Sequence, residues 1–280
     1  MYDPDVQGVK HCYQVEADQK RRAGRCRLPS EPKEITKLSK FCDFQSQCGP
    51  TERCCHSAGN LYRLCVTPVA IDPRPTVTIL QEGSAAAIEG GGFNFISSVA
   101  LVQSNGKNIL FDLGSVDQRV VIENALADLA GITLADIDMA VASHGHPDHM
   151  AAAVLFPDTP VNFDLFQVTG SAYEPNPLRN NQRYFLFDDA FVEVIRTPGH
   201  TLQDTSLIVR NTTLGTVVLA GDSVLNSSEN YNQPPAGAQN ETLWQSSRNL
   251  IFCLADYIVP GHAKMFQVTA QMRNQNGGCQ

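Results

Sequence analysis

A chain of 280 residues with 42% apolar side chains can bury a sizeable core. No stretch approaches the roughly 20 apolar residues of a membrane helix, so no membrane span is expected. The net charge of −8 is uneven: residues 1–70 hold eleven Lys/Arg against eight Asp/Glu, a net of +3, and residues 71–280 hold ten against twenty-one, a net of −11. The larger part would therefore repel a polyanion.

The first 30 residues lack an apolar signal-peptide core. Either the protein is intracellular or a leader precedes Met1. Seven of nine cysteines (12, 26, 42, 48, 54, 55 and 65) fall in the first 65 residues, leaving Cys253 and Cys279. Two modules are predicted, a cysteine-rich one over 1–70 and a larger one over 71–280, with a proline-punctuated joint near VTPVAIDPRP. The basic run KRRAGRCR reads as a solvated face rather than a nucleic-acid or membrane contact. CDFQSQCGPTERCCHSAGNLYRLCVTP has few aliphatic residues to form a core and lacks the CxxC knuckles of structural zinc sites, so disulfides are expected.

The spacing C-x5-C-x5-CC, with Gly-Pro after its second cysteine, resembles the whey acidic protein four-disulfide core. That resemblance implies the pairs Cys12–Cys55, Cys42–Cys54 and Cys48–Cys65, with Cys26 left free or tied to Cys279. It also implies an extracellular protein; free thiols would favour the cytosol or nucleus instead. The sequons at Asn211, Asn226 and Asn240 fit secretion but arise easily by chance.

From residue 76 short apolar runs alternate with helical periods. TVTILQ, FNFISSVALVQ and NILFDLG read as strands, the last two joined by SNGK with Asn-Gly at the turn. VDQRVVIENALADLAG reads as a helix burying Val120, Val121, Ala125, Leu126 and Leu129 and ending at Gly131. The strand DMAVAS then runs into SHGHPDHM.

Three histidines and an aspartate within six residues ask for a metal. Alternation along an extended chain directs His144 and His146 to one side. Pro147 turns the chain, and Asp148 and His149 fall where MAAAVLF would begin a helix. Three later strands end in the same way: VEVIRTPGHT at His200, TVVLAGDS at Asp222 and DYIVPGHAKMF at His262. All five histidines outside the cysteine module sit at inferred strand ends. Five imidazoles and two carboxylates suffice for two divalent ions, with positions open for water and substrate.

H-x-H-x-D-H followed by a separate His, Asp and His resembles the signature of the metallo-β-lactamase superfamily over residues 76–268. The resemblance implies an α/β fold, an αββα sandwich with its site at the strand ends along one edge. It implies that His144, His146 and His200 hold one metal, that Asp148, His149 and His262 hold the second, that Asp222 bridges, and that Asp112 in LFDLG supports a ligand from behind. TPGHTLQDTSLIV and IVPGHAKMFQV resemble a branch regarded as ribonucleases of histone pre-messenger RNA 3′ ends, which implies phosphodiester cleavage of single-stranded RNA by a protein that dimerises.

Zinc suits imidazole and carboxylate ligands, and iron or manganese could use the same set. Two such ions would lower the pKa of a bridging water enough to make it a nucleophile near neutral pH, with Asp148 orienting it. The charge of the larger module speaks against RNA, so a small ester, thioester or lactone is the alternative substrate. A non-catalytic extracellular binding protein is the second alternative.

Overall fold

The computed structural model describes Cys48 and residues 53–56, 63–66, 74–226, 234, 237–277 and 279. The chain divides into two compact units, Met1–Asp72 and Pro73–Gln280. In the first, β1 (Arg53–His56) and β2 (Arg63–Val66) pair antiparallel with Cys54 opposite Cys65, and a disulfide joins Cys48 to Cys65. Cys12, Cys26 and Cys42 lie outside the described residues, and with them the pairs Cys12–Cys55 and Cys42–Cys54. The expected tie between Cys26 and Cys279 is corrected: Cys279 bonds Cys253, because the C-terminal segment returns to the helix that carries Cys253.

The second unit opens with β3 (Thr76–Gln81), the short hairpin strands β4 (Ser84–Ala87) and β5 (Phe93–Ile96), then β6 (Val99–Ser104) and β7 (Lys107–Phe111). Asn105 and Gly106 join β6 to β7 with φ of 47° and 76°, the left-handed pair that a two-residue hairpin turn requires. Helix α1 (Arg119–Ala125), β8 (Met139–Val141), α2 (Pro147–Met150), β9 (Val161–Phe163), β10 (Phe166–Thr169) and β11 (Ala172–Pro175) follow. The remainder is β12 (Arg183–Phe185), β13 (Val192–Arg196), β14 (Thr205–Thr212), β15 (Gly215–Gly221), α3 (Glu241–Leu254), β16 (Tyr257–Pro260), β17 (Phe266–Gln267) and α4 (Ala270–Gln275).

Apart from β4 and β5, which pair only with each other, these strands form two sheets, one in the order β11-β10-β9-β8-β7-β6-β3 and the other β12-β13-β14-β15-β16-β17. The central strands are apolar on both faces, which places them in the middle of four layers. Ala100, Val102, Ile109, Phe111 and Val141 of the first sheet meet Val192, Val194, Leu207, Val209, Val217 and Leu219 of the second. The alternate residues Val99, Leu101 and Leu110 point outward to Ile122, Leu126, Ala152 and Phe156. On the far side Ile208, Val218 and Ile258 pack under Ile251 and Phe252 of α3. The result is the expected αββα sandwich. Among the described residues no helix is long and apolar enough to cross a membrane.

Two sequence expectations need correcting. The predicted helix is built from a 3-10 turn, α1 and a π turn over Leu126–Ala130, closed by Gly131 at φ 67°. It buries Ile122 and Leu126 and leaves Val120, Val121 and Leu129 more than half exposed. The lengthened π turn rotates the apolar positions away from the stripe that a uniform α-helical period places against the sheet. FNFISSVALVQ is not one strand: it breaks at Ser97 and Ser98, which are buried and serve the site described next.

Candidate metal centre

Topology brings the site together. Strands β7 and β8 run parallel, as do β15 and β16, and β13 shares the direction of β15 because each is antiparallel to β14. Their C-terminal ends therefore open on one edge. Asp112 follows β7, His144 to His149 follow β8, His200 follows β13, Asp222 follows β15 and His262 follows β16. Pro147 occupies the first turn of α2, where its fixed φ suits helix entry, and the helix carries Asp148 and His149 back toward the strand ends. Gly261 is required by close approach: a Cβ there would overlap Asp222 Oδ1.

The seven residues meet in two groups. His144, His146, His200 and Asp222 form one, and Asp148, His149 and His262 the other; within each group one ligand atom per residue lies within 4.8 Å of the rest. In the first, His144 Nε2 lies 2.8 Å from His146 Nδ1, and His200 Nε2 lies 3.1 Å from that same nitrogen. In the second, His149 Nε2 lies 3.4 Å from His262 Nε2, with Asp148 Oδ2 3.4 and 3.5 Å from the two. Asp222 faces both groups. Its Oδ2 lies 3.3 Å from His200 Nε2, while its Oδ1 lies 3.2 Å from His149 Nε2 and 3.3 Å from His262 Nε2.

The donor chemistry fits metal ions. Imidazole nitrogens that point at one another through their lone pairs repel unless a proton or a cation sits between them. Asp222 Oδ1 and Asp148 Oδ2 are buried and accept no hydrogen bond, which is costly without a cation to face. His144, His149, His200, Asp222 and His262 are all buried, whereas His146 is exposed at the mouth.

Several nitrogens on the far side of these rings are fixed by the fold. Asp112 Oδ2 lies 2.7 Å from His149 Nδ1, and its Oδ1 accepts from the Ser143 backbone N–H at 2.7 Å. Asp112 adopts φ of 54°, a strained conformation for a non-glycine residue that turns its carboxylate inward. His262 Nδ1 donates to Ile96 O at 2.9 Å, and Ser143 Oγ lies 3.0 Å from His144 Nδ1. These contacts place the Nδ1 proton on His149 and His262 and leave Nε2 free to ligate.

Charge follows the same geometry in the metal-free chain. Burial opposes a charge on His149, but Asp112 and Asp222 outweigh it and hold its pKa well above the ordinary value. Burial raises Asp222, yet His149 and His262 overcome it and keep the carboxylate ionised. Burial, reinforced by His149, drives His144 down to about 2, so that ring is neutral at any working pH.

All seven residues singled out from the sequence come together, and Asp112 stands behind His149. Sequence reasoning missed the supports on the opposite side. Ser97 Oγ donates to Asp148 O at 2.6 Å, Ser98 N–H donates to Gly261 O at 2.7 Å, and Ser98 Oγ donates to Ala263 O at 3.4 Å. The one signal was a pair of serines inside an otherwise apolar run. Asp204 was missed as well; it accepts from Thr201 N–H at 2.7 Å and Thr201 Oγ1 at 2.6 Å, tying the turn that presents His200.

Residues 92–162 match the family model described as the metallo-beta-lactamase superfamily. Metallo-beta-lactamase domain-containing protein 1 of Xenopus laevis is 33% identical over 195 residues, which cover 69% of this chain and 82% of that protein. An uncharacterized protein of Caenorhabditis elegans is 32% identical over 189 residues, 65% of this chain, and the match spans only 51% of the relative's length. Among solved structures, an N-acyl homoserine lactone hydrolase with the product N-hexanoyl-L-homoserine at its catalytic metal centre superposes with a TM-score of 0.51. It is 17% identical, over 68% of this chain and 92% of that one, a likeness of fold alone. The chain belongs to the metallo-β-lactamase superfamily and is a hydrolase of that fold with a candidate metal-binding site.

Proposed function

We propose that this protein hydrolyses ester, thioester or lactone bonds of small molecules with the help of two divalent metal ions, zinc being the natural fit to the donors. The observation that carries the two-metal reading is Asp222, whose two oxygens face two separate sets of imidazoles. His144, His146 and His200 would hold one ion, and Asp148, His149 and His262 the other. Bound there, the ions supply Lewis acidity and an activated water. Net, one water is consumed: the acyl carbon gains an oxygen as its bond to the leaving oxygen or sulfur breaks, and the leaving group takes a proton.

The chain's own residues do the rest. Asp112 and Ile96 O fix the protons of His149 and His262 at Nδ1. Asp148 is the least buried carboxylate of the set, with 18% of its side chain exposed, so it can accept a proton from water and pass it to a leaving group. Deep burial of His144, His149, His200, Asp222 and His262 excludes bulk solvent from one side of the reacting atoms, while His146 lines the open side.

The resemblance to ribonucleases of histone pre-messenger RNA supports phosphodiester cleavage instead, but the net charge of −11 on residues 71–280 opposes a polyanionic substrate. The disulfides Cys48–Cys65 and Cys253–Cys279 support an oxidising, extracellular setting. Zinc-reconstituted protein should be assayed on p-nitrophenyl butyrate and on bis(p-nitrophenyl) phosphate. Turnover of the ester that Asp222→Ala abolishes is the expected result. Exclusive turnover of the phosphodiester would overturn the ester reading in favour of the nuclease, and turnover unaffected by Asp222→Ala or by a chelator would overturn the metal reading.

A further inference from the structure

The edge of the sandwich where β11 and β12 end the two sheets holds a cavity that the metal centre does not use. Val141, Asn162, Gln167 and Glu174 are neighbours across β8, β9, β10 and β11. Cross-strand neighbours share a face, and Val141 belongs to the core between the sheets, so the inner face of this sheet turns from apolar to polar over its last three strands. On the facing sheet Tyr184 pairs with Val194, another residue of that core, and therefore points inward as well. Between the two lies a cavity of about 360 Å³ whose lining includes Met139, Asn162, Gln167, Glu174, Tyr184 and Phe187. That volume falls within the range of small-molecule sites, about 300–1,000 Å³. Among the described residues that line it, none is a metal ligand.

Two buried polar atoms of this lining, Asn162 Oδ1 and Tyr184 Oη, have no hydrogen-bond partner. Asn162 is only 4% exposed, and its amide N–H donates to Met139 Sδ at 2.8 Å, which leaves the oxygen as an acceptor waiting for a donor. An unmet acceptor at such depth costs free energy that an aliphatic residue in the same strand would not. Burial pushes the pKa of Tyr184 up, so its hydroxyl keeps its proton and can donate or accept. Phe187 is 40% exposed and adopts φ of 52°, a strained conformation that a bulky residue rarely takes. Glu174 is exposed, and among the described residues of the lining it is the one charged side chain. Lys107 Nζ lies 5.1 Å from the Phe187 ring centroid, but its charge is paired with Asp138 at 2.6 Å. A buried acceptor, an aromatic wall and a carboxylate in solvent are complementary to a molecule with an N–H donor at one end, a flat apolar body and a positive charge at the other. Water alone would satisfy the two oxygens yet leave the wall uncovered.

We infer that this cavity binds a small aromatic amine, whose ring N–H or O–H donates to Asn162 Oδ1 beside Tyr184 Oη, whose ring lies against Phe187 and whose ammonium faces Glu174. Neither zinc nor the ester reading is needed for it. The net charge of −11 on residues 71–280 favours a cation here as well.

The test titrates tryptamine by calorimetry into the full-length, zinc-loaded protein, beside phenethylamine, which lacks the ring N–H, and indole-3-acetate, which reverses the charge. One tryptamine per chain should bind with a Kd below about 1 mM, and each of the other two about tenfold more weakly. Asn162→Leu should weaken tryptamine by about tenfold without lowering the melting temperature, because it removes a buried unpaired oxygen. Tyr184→Phe should weaken it less, and Glu174→Gln, on an exposed strand, should shrink the preference over indole-3-acetate. Binding should survive removal of zinc by a chelator. Saturable binding that is absent, or indifferent to both Asn162→Leu and Tyr184→Phe, overturns the proposal. Binding abolished by the chelator places tryptamine at the metal centre and overturns it too, as does equal affinity for tryptamine and indole-3-acetate. A crystal structure grown with tryptamine that shows only water on Asn162 and Tyr184 assigns the cavity to solvent and has the same result.

Discussion

Asp222 is the residue on which the two ligand groups depend, because one side chain faces both. Asp222→Ala should lower bound zinc from about two ions per chain to one or fewer, as read by elemental analysis after dialysis, and should leave the far-side contacts of the histidines in place. Gly261→Ala tests the same point from behind: its new methyl would displace Asp222 Oδ1, and zinc affinity should fall by about 10- to 100-fold. Asp204 gives a pH signature of its own. Burial raises its carboxyl to about 7, the two Thr201 hydrogen bonds opposing only in part. A carboxyl raised in the fold contributes stability that is complete below its ordinary value of 3.8 and is lost as pH climbs through about 7. In metal-free protein the urea midpoint should therefore fall between pH 4 and 7. Asp204→Asn, which stays neutral, should flatten that fall by about 1 kcal/mol or more.

Elements position these residues through contacts that lie some way from the metal centre. Gly199, at φ of 151°, packs so closely on the backbone of Trp244 that a Cβ could not fit, while Asn240 N–H donates to Gly199 O and Ser247 Oγ donates to Pro198 O. Helix α3 thus braces the turn that carries His200. Its far end is tied by Cys253–Cys279, which closes a loop spanning 26 residues of sequence separation. Removing that bond with Cys253→Ser and Cys279→Ser should cost about 3.5 kcal/mol by the chain-entropy estimate, seen as a lower melting temperature. Metal binding should survive, because no ligand lies on α3. The strand ends were legible in the sequence since each ligand or ligand cluster follows a short run rich in apolar residues, as in VEVIRTPGH and TVVLAGD. The burial of α1 was not. Apolar residues at 120, 121, 122, 126 and 129 fit more than one stripe, and only the π turn decides that Ile122 and Leu126 face the sheet. In FNFISSVALVQ the serine pair is the one local hint, and it does not say what Ser97 and Ser98 bind, because their partners Asp148, Gly261 and Ala263 lie 51 to 165 positions away.

At the scale of the whole molecule the charge is divided as the chain is. Residues 1–70 carry a net +3 and residues 71–280 a net −11, and the chain separates into compact units between Asp72 and Pro73. Two bound dications would return only four charges to the acidic unit, which stays unattractive to RNA. Single-stranded RNA should therefore compete weakly with a small ester, even at low salt, and removal of residues 1–72 should leave ester turnover and zinc content unchanged. The nuclease reading makes the opposite prediction. There RNA must be held in part by cations of the first unit, such as Lys20, Arg21, Arg22 and Arg25, and each neutralised phosphate adds about −0.7 to the slope of log affinity against log salt. Competition measured from 50 to 300 mM salt on full-length and truncated protein separates the two. A steep slope that flattens on truncation would replace the ester with a phosphodiester. A negligible slope in both proteins, with the small ester still turned over, keeps the ester reading, because binding of an uncharged substrate neutralises no phosphates and is insensitive to salt.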